Sequence, residues 1–414
     1  YARSKKPPIP LLQIPGAVDS YAKYDGKNVH LEATRNPAEK VAITEAASTV
    51  VSEASPPPKR LPLNAPKGRP QLYEIDIAKN NDEIREMQQQ VGSKAANYAF
   101  LRSALPLDRA KDEEHIYPGF AVPYYFYEQH LQASGAARGI ASLTSINDSN
   151  RVRESLLAIR NMILTASVDH DLLHLIGKQL EDRLREQHSL RAETVKLRFR
   201  SSSNAEDNKD FSGAGLYESH FAVYAYENGP AGNHGARDEN HSAISAAIKQ
   251  VWASLWTAEA YQARERVGIV QETVRMGILV HPSYRKEEST GVVYYYAPDD
   301  IEIVVNKGNE NVQNPSIAGL TPEMHRITGG RHQLDHSSRF SLSEDVILSS
   351  KDRKQLMNLL NRVIPKFQEL YSDQAVSGAD IEFKVLEVPE ADGGDKDVVM
   401  LKQIRPLAKR VGMD

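Results

Sequence analysis

Near the C-terminus lie two runs, ADIEFKVLEV from Ala379 and VVMLKQIRPL from Val398, in which polar and apolar residues mostly alternate; the loop between them holds Asp392-Gly393 and Gly393-Gly394 pairs. Alternation with a period of two fits a half-buried strand rather than a helix, and a glycine-bearing loop between two such runs makes a β-hairpin. A two-residue turn at Asp392-Gly393 sets Glu382 opposite Gln403 and Asp380 opposite Arg405. Moving the turn to Gly393-Gly394 changes the partners but keeps Glu382, Lys384, Gln403 and Arg405 on one face. The other face then carries Ile381, Phe383, Val385, Met400, Lys402 and Ile404, a set suited to a core. Carboxylate and amide oxygens gathered on the first face are hard ligands of the kind Mg²⁺ takes, and Arg405 can answer an anion with paired hydrogen bonds. A solvated hairpin face with a surface Asp–Arg pair is the plainer alternative.

Upstream, LRFRSSSNAEDNKDFSGAGLYES opens as a strand over Val195 to Phe199 and delivers Arg200 at its end, followed by hydroxyls and the small-residue stretch Ser212 to Gly215. Small residues let backbone N–H groups approach an anion closely, although a glycine pair in a loop also serves as a simple turn. In VGSKAANYAFL, Lys94 follows a Gly-Ser pair at the start of a helix carrying Ala95, Tyr98, Ala99 and Leu101. A lysine gains nothing from the positive end of a helix dipole, so an anion attracted by both explains the placement; a solvated surface lysine is the bland reading.

Helical periodicity predicts helices over NDSNRVRESLLAIRNMIL and DHDLLHLIGKQLEDRLREQ, and a third from about Ala243 to Arg266 with Gly268 as its stop. On that third helix Trp252 and Trp256 read as core rather than as a stacking platform. Strand-like runs follow from Met276, Gly291 and Ile301. The expected fold class is α+β, mixed α/β subdomains closing around a cleft. Residues 1–38 read as the edge of a small β-rich domain, 39–74 as a Pro/Ala/Ser-rich linker and 75–410 as the main unit. Tyr1 is not an initiator methionine, and more protein upstream is the expectation.

Composition closes several routes. The chain has no cysteine among its 414 residues, which removes disulfides, thiolate catalysis and Cys-ligated metal sites; a cytoplasmic protein is the expectation. A formal net charge of −4 argues against a nucleic-acid surface spread over the chain, and no apolar run approaches the roughly 18 residues of a membrane span. His30, His170, His174 and His188 lie in strand or helical patterns and are assigned no chemistry.

Taken in order, these segments resemble the nucleotide-binding, ATP-grasp domain of the pyruvate phosphate dikinase, PEP synthase and glucan water dikinase superfamily. VGSKAANYAFL and YPGFAVP resemble its GGK-A-L opening and PPGF-V strand, and RSSSNAED with SGAGLYES its RSS-ATAED segment and small-residue flap. VWASLWTAEAYQAR resembles its CWASLFT-A-R helix, MGILVHPSY the strand leading to the adenine hinge, and DIEF with KQIRPL the closing DIEW and LQ-RP pair. His281-Pro282 stands where the hinge usually has Gln before a Lys or similar residue, Ser93 replaces the second glycine of the opening motif, and NKGNE keeps Gly308 and Glu310 of a GLGE loop.

The resemblance implies Lys94 and Arg200 on nucleotide phosphates, Gly215 and Ser219 in the flap, and Glu382 with Gln403 on Mg²⁺. It further implies Arg405 on the transferring phosphates, Asp380 in support of the metal, and His281 and Glu310 in the ATP site. It also implies a dikinase that passes the β-phosphoryl group of ATP to a histidine on an upstream or separate swivelling domain, for onward transfer to a small-molecule or carbohydrate acceptor. The GAGLYES wording lies closer to the glucan water dikinases, and ARSKKPPIPLLQIPGA with YDGKNVHLEA resembles the last part of such a swivelling domain. An ATP-grasp ligase releasing ADP and a non-catalytic nucleotide sensor are the rival readings.

Overall fold

Strand alternation is visible at once in the burial of Val195, Leu197 and Phe199 between outward-facing Lys196, Arg198 and Arg200. The computed structural model describes residues 29–33, 41–45, 57–62, 70–75, 79–106, 114–184, 194–207, 211, 213, 215–226, 236–296, 300–310, 312, 320–336, 346–372, 376–389 and 393–408. The early elements are β1 (Val29–Ala33), β2 (Val41–Glu45), β3 (Tyr73–Glu74), α1 (Asn81–Val91), α2 (Ser93–Ala104) and β4 (Phe120–Val122). A helical block follows: α3 (Tyr124–Ser134), α4 (Ala136–Leu143), α5 (Ser149–Thr165) and α6 (His170–Gln179). Then come β5 (Thr194–Ser203), β6 (Ser219–Ala225), α7 (Ala236–Ser254), α8 (Ala258–Arg266), β7 (Met276–Pro282), β8 (Glu287–Tyr296) and β9 (Asp300–Lys307). The chain closes with β10 (Glu323–Thr328), β11 (Arg331–His336), α9 (Ser350–Leu370), β12 (Val376–Pro389) and β13 (Asp395–Ala408).

Two sheets organise the main unit, one of five strands in the order β3-β4-β7-β5-β6 and one of six in the order β11-β10-β9-β8-β12-β13, all antiparallel. The α+β class expected from the sequence is the one observed. Helices α3 to α8 cover one face of the five-stranded sheet, where Val195, Leu197 and Phe199 meet Trp252, Trp256 and Ile159 in a single core. A second core joins α1, α2 and α9 to the inner face of the six-stranded sheet through Ile381, Phe383 and Val385. Burying a phenylalanine such as Phe383 stabilises by roughly 1.5–3 kcal/mol, and Gly291 on β8 makes room for it: a Cβ there would lie 2.3 Å from the ring. The faces left over, polar on both sheets, look onto a cleft.

The helix expected over 243–266 is in fact two, α7 and α8, and it starts earlier. The chain turns at Leu255 and Trp256, and Thr257 caps α8 by accepting from Ala260 N at 3.2 Å. The break leaves both tryptophans in the core, as expected, with Trp256 Nε1 donating to Tyr127 Oη at 2.8 Å. Gly268, with φ +75°, stands just past the helix end. The serines read as loop, Ser201 to Ser203, complete β5 instead.

The span read as linker also carries structure. β2 pairs antiparallel with β1, the two strands lying on either side of the boundary expected near residue 38. Lys59 bridges Ile269 in parallel, Leu61 is buried in the core around the five-stranded sheet, and Tyr73-Glu74 add the edge strand β3. Isolated apolar residues in a proline-rich stretch suffice to dock it when a partner surface waits. Most of residues 1–38, and His188, lie outside the described residues.

Candidate functional site

The two polar sheet faces enclose a cleft of 640 Å³, within the range of small-molecule sites. One wall is β12 and β13. Their register places Glu382 opposite Gln403 and Asp380 opposite Arg405, the pairs expected from the sequence. Beyond them the ladder shifts by one between Glu382 and Phe383, so that Phe383 faces Leu401 and Lys384 faces Met400. Lys402 is the extra residue of this β-bulge. A bulge leaves its extra residue outside the ladder and re-aims nearby side chains. Lys402, expected on the apolar face, therefore lines the cleft beside Gln403, and Met400 moves to the cleft side while Leu401 takes its place in the core.

The other wall is β5, with the N-terminus of α2 at its base. Gly92 caps α2 at φ +92°, and a Cβ on it would lie 2.2 Å from Ser202 O, so only glycine lets the helix start against the strand. Ser202 Oγ accepts from Ala95 N at 2.9 Å and ties the helix to the strand end. Lys94 consequently reaches Ser201 Oγ and Glu206 Oε2, both at 3.0 Å.

Arg200 spans from one wall to the other, donating to Lys402 O at 2.9 Å and Gln403 Oε1 at 2.5 Å. Gln403 Nε2 donates to Asp207 Oδ2 at 2.6 Å. Arg405 holds Asp380 Oδ2 through Nε and Nη2, both at 2.8 Å, and Asp207 Oδ1 at 3.4 Å. Lys402 Nζ stands 2.5 Å from Glu382 Oε2, and Lys384 pairs with Glu287 and donates to Thr290 Oγ1 at 3.1 Å.

This density of charge shifts the titrating groups. Burial disfavours the ionised form of Glu382, yet the positive charges of Lys402, Arg200 and Arg405 outweigh it and hold the carboxyl well below the usual carboxylate range. Burial pushes Lys402 down to about 8 against the pull of Glu382. Burial raises Glu206, with Lys94 opposing and Asp207 reinforcing. Arg405 is held more firmly protonated than an ordinary arginine, because Asp380, Asp207 and Glu382 together overcome its burial.

His281 lies in the wall of the cleft at 1% exposure, stacked on Tyr98 with ring centroids 5.4 Å apart. Burial, and then the charge of Arg200, lower its pKa well below the ordinary value. The ring is neutral, with Nδ1–H donating to Pro282 O at 2.6 Å, which leaves Nε2 an acceptor without a hydrogen-bond partner among the described residues.

Of the expected site residues, Lys94, Arg200, Gly215, Ser219, His281, Glu382, Gln403 and Arg405 all line this cleft. Asp380 stands behind Arg405 as its anchor, and Glu310 is not among the lining residues, although its neighbour Asn309 is. Glu206 and Asp207 received no role in the sequence reading, and they bind Lys94, Gln403 and Arg405. The motif RSSSNAED held the signal, since acids just beyond the end of the strand that carries Arg200 are placed to reach back to the same cleft. Among the described residues no group of three or more Asp, Glu or His side chains gathers as a metal cage. No helix there is long and apolar enough to cross a membrane. Chemically the cleft can hold a polyanion among several cations, beside a carboxylate and an amide oxygen.

Residues 88–411 match the family model described as pyruvate phosphate dikinase, AMP/ATP-binding domain. The chain is 25% identical over 267 residues to a probable phosphoenolpyruvate synthase of Staphylothermus marinus, covering 63% of this chain and 28% of that protein. It is 30% identical over 202 residues to the phosphoenolpyruvate synthase of Pyrococcus furiosus, with 46% and 21% covered. With the Escherichia coli phosphoenolpyruvate synthase the identity is 24% over 322 residues, with 70% and 37% covered. The chain thus spans well under half the length of these curated relatives. Since the family match takes in both walls of the cleft and most of the chain, the chain belongs to the pyruvate phosphate dikinase AMP/ATP-binding domain family, the nucleotide-binding domain of the pyruvate phosphate dikinase and PEP synthase superfamily.

Proposed function

We propose that the cleft binds Mg–ATP and that the chain is the ATP-grasp domain of a dikinase working with a swivelling domain, carried upstream or separately. In the overall reaction the β-phosphoryl group of ATP ends on a histidine nitrogen of that domain and water takes the γ-phosphoryl group, giving AMP and inorganic phosphate. A small molecule or a carbohydrate then receives the phosphoryl group from the histidine, in the cytoplasm. The observation that carries this reading is the register of β12 and β13, which sets Glu382 opposite Gln403 within reach of Arg200 and beside Arg405.

Lys94, Arg200 and Arg405 neutralise and orient phosphate oxygens, the part of phosphoryl transfer in which positioning and charge do most of the work. Glu382 and Gln403 fit Mg²⁺: both offer hard oxygen atoms, and the buried Asp380 Oδ1 close by has no hydrogen-bond partner among the described residues. Were Mg²⁺ bound, Glu382 and Gln403 would hold it, and it would supply neutralisation of phosphate charge. Neutral His281 offers its Nε2 lone pair to a donor on the base, and Gly215 and Ser219 belong to the flap over the phosphates. Among the described residues the one histidine lining the cleft, His281, is buried, and on this reading the phosphoryl acceptor is a histidine from outside the cleft.

The deciding experiment incubates this chain, and the full-length protein, with ATP labelled at the β-phosphate, traps protein at alkaline pH and separates AMP from ADP. The chain alone should turn over little, while the full-length protein forms AMP and labelled phosphohistidine. Robust ADP release with no labelled protein would sink the dikinase reading and favour a ligase.

A further inference from the structure

The bulge in β13 gives the cleft a cation that phosphate binding by Lys94, Arg200 and Arg405 does not require. Uninterrupted pairing would have turned Lys402 toward the core formed by Ile381 and Phe383; the extra residue brings it out beside Gln403. Its ammonium stands 2.5 Å from Glu382 Oε2, and Arg200 covers Gln403 Oε1 at the same distance. Glu382 Oε2 and Gln403 Oε1 are thus each covered by a cation of the protein itself. A divalent ion and an ammonium repel each other strongly at contact distance from one carboxylate oxygen, so a metal ion that takes Glu382 Oε2 displaces the lysine.

We propose that Lys402 is a built-in counter-cation, occupying the divalent metal's place on Glu382 until metal and nucleotide phosphates arrive together, when its Nζ moves from the carboxylate to a phosphate oxygen. The inference rests on the reading of the cleft as a Mg–ATP site. It makes two statements about the protein in solution. Metal binding without nucleotide is weak, because Lys402 competes for Glu382. Nucleotide binding without metal is partly preserved, because the displaced lysine brings positive charge to the phosphates.

The test uses Mn²⁺ as the metal probe, titrated by electron paramagnetic resonance without nucleotide, and calorimetry of ATP binding in EDTA and in Mg²⁺. Lys402→Met and Lys402→Gln both remove the charge, and the second keeps a polar group should the first fail to fold. Either folded variant should bind Mn²⁺ at least tenfold more tightly than the wild type and ATP in EDTA at least fivefold more weakly. A lysine serving only to hold the hairpin together would instead lower thermal stability and leave Mn²⁺ affinity unchanged or reduced, and that outcome overturns the proposal. If the wild type binds ATP in neither condition, the nucleotide reading of the cleft fails and this inference with it. If ATP binds while neither variant gains Mn²⁺ affinity, the role of Lys402 alone is refuted.

Discussion

A Cβ atom on Gly92 would stand 2.2 Å from the carbonyl oxygen of Ser202, and this closeness fixes Lys94 over the end of β5. At φ +92° an L-residue is strained even where space exists. Gly92→Ala should therefore lower stability by at least about 2 kcal/mol, through strain and overlap together. Urea unfolding checks this, and an unchanged midpoint would show that α2 can shift along the strand.

Arg405 joins two acids that have little other compensation. Arg405→Met leaves Asp380 and Asp207 buried without their main cation, at 5% and 2% exposure, and should cost roughly 3–5 kcal/mol. Adding Asp380→Asn should return part of that loss, since one of the stranded charges is gone. A double-mutant cycle showing plain additivity would mean that the pair is not coupled.

Gln403 works in both directions, accepting from Arg200 and donating to Asp207. On the proposed reading, Glu382→Ala combined with Gln403→Ala removes the metal-dependent part of ATP binding and leaves a weaker, metal-independent part. Calorimetry with and without Mg²⁺ separates the two. Equal Mg²⁺ dependence in the double variant and the wild type would remove both residues from the metal site.

His281 sets a pH signature. Its folded pKa lies below the ordinary 6.5, so between the two values the unfolded chain binds the extra proton and acid favours unfolding. The contribution is fully present above 6.5 and is lost as pH falls below it. Relative to wild type, His281→Gln should gain stability by about 1.4 kcal/mol per pH unit below 6.5, until the native imidazole itself titrates. Urea curves at pH 7.5, 6.5 and 5.5 measure the gap, and a gap independent of pH would show that folding does not shift the titration of this ring.

The pairing of Glu382 with Gln403 was legible from the sequence, yet two one-residue departures lie behind that agreement. Pro389 faces Asp395, a register one residue off that set by a two-residue turn at Asp392-Gly393, and the bulge at Lys402 moves it back. Alternation reports which residues share a face between irregularities but not where an irregularity falls, so Lys402 and Met400 were assigned to the wrong side. The acids Glu206 and Asp207 escaped for a related reason. Their reach to Lys94, Gln403 and Arg405 depends on a turn in which Asp207 takes φ 51°, a conformation that no period encodes. Trp252 and Trp256 were placed in the core correctly because side-chain size and helical spacing decide that locally.

The anchoring of Lys59 on Ile269, with Leu61 buried just beyond it, fixes one end of the chain that leads back to the β1–β2 pair. Fourteen peptide steps separate Glu45, the end of the β1–β2 pair, from Lys59. At full extension they span no more than roughly 50 Å. Glu45 therefore stands within that distance of Lys59, whichever way the chain between them runs.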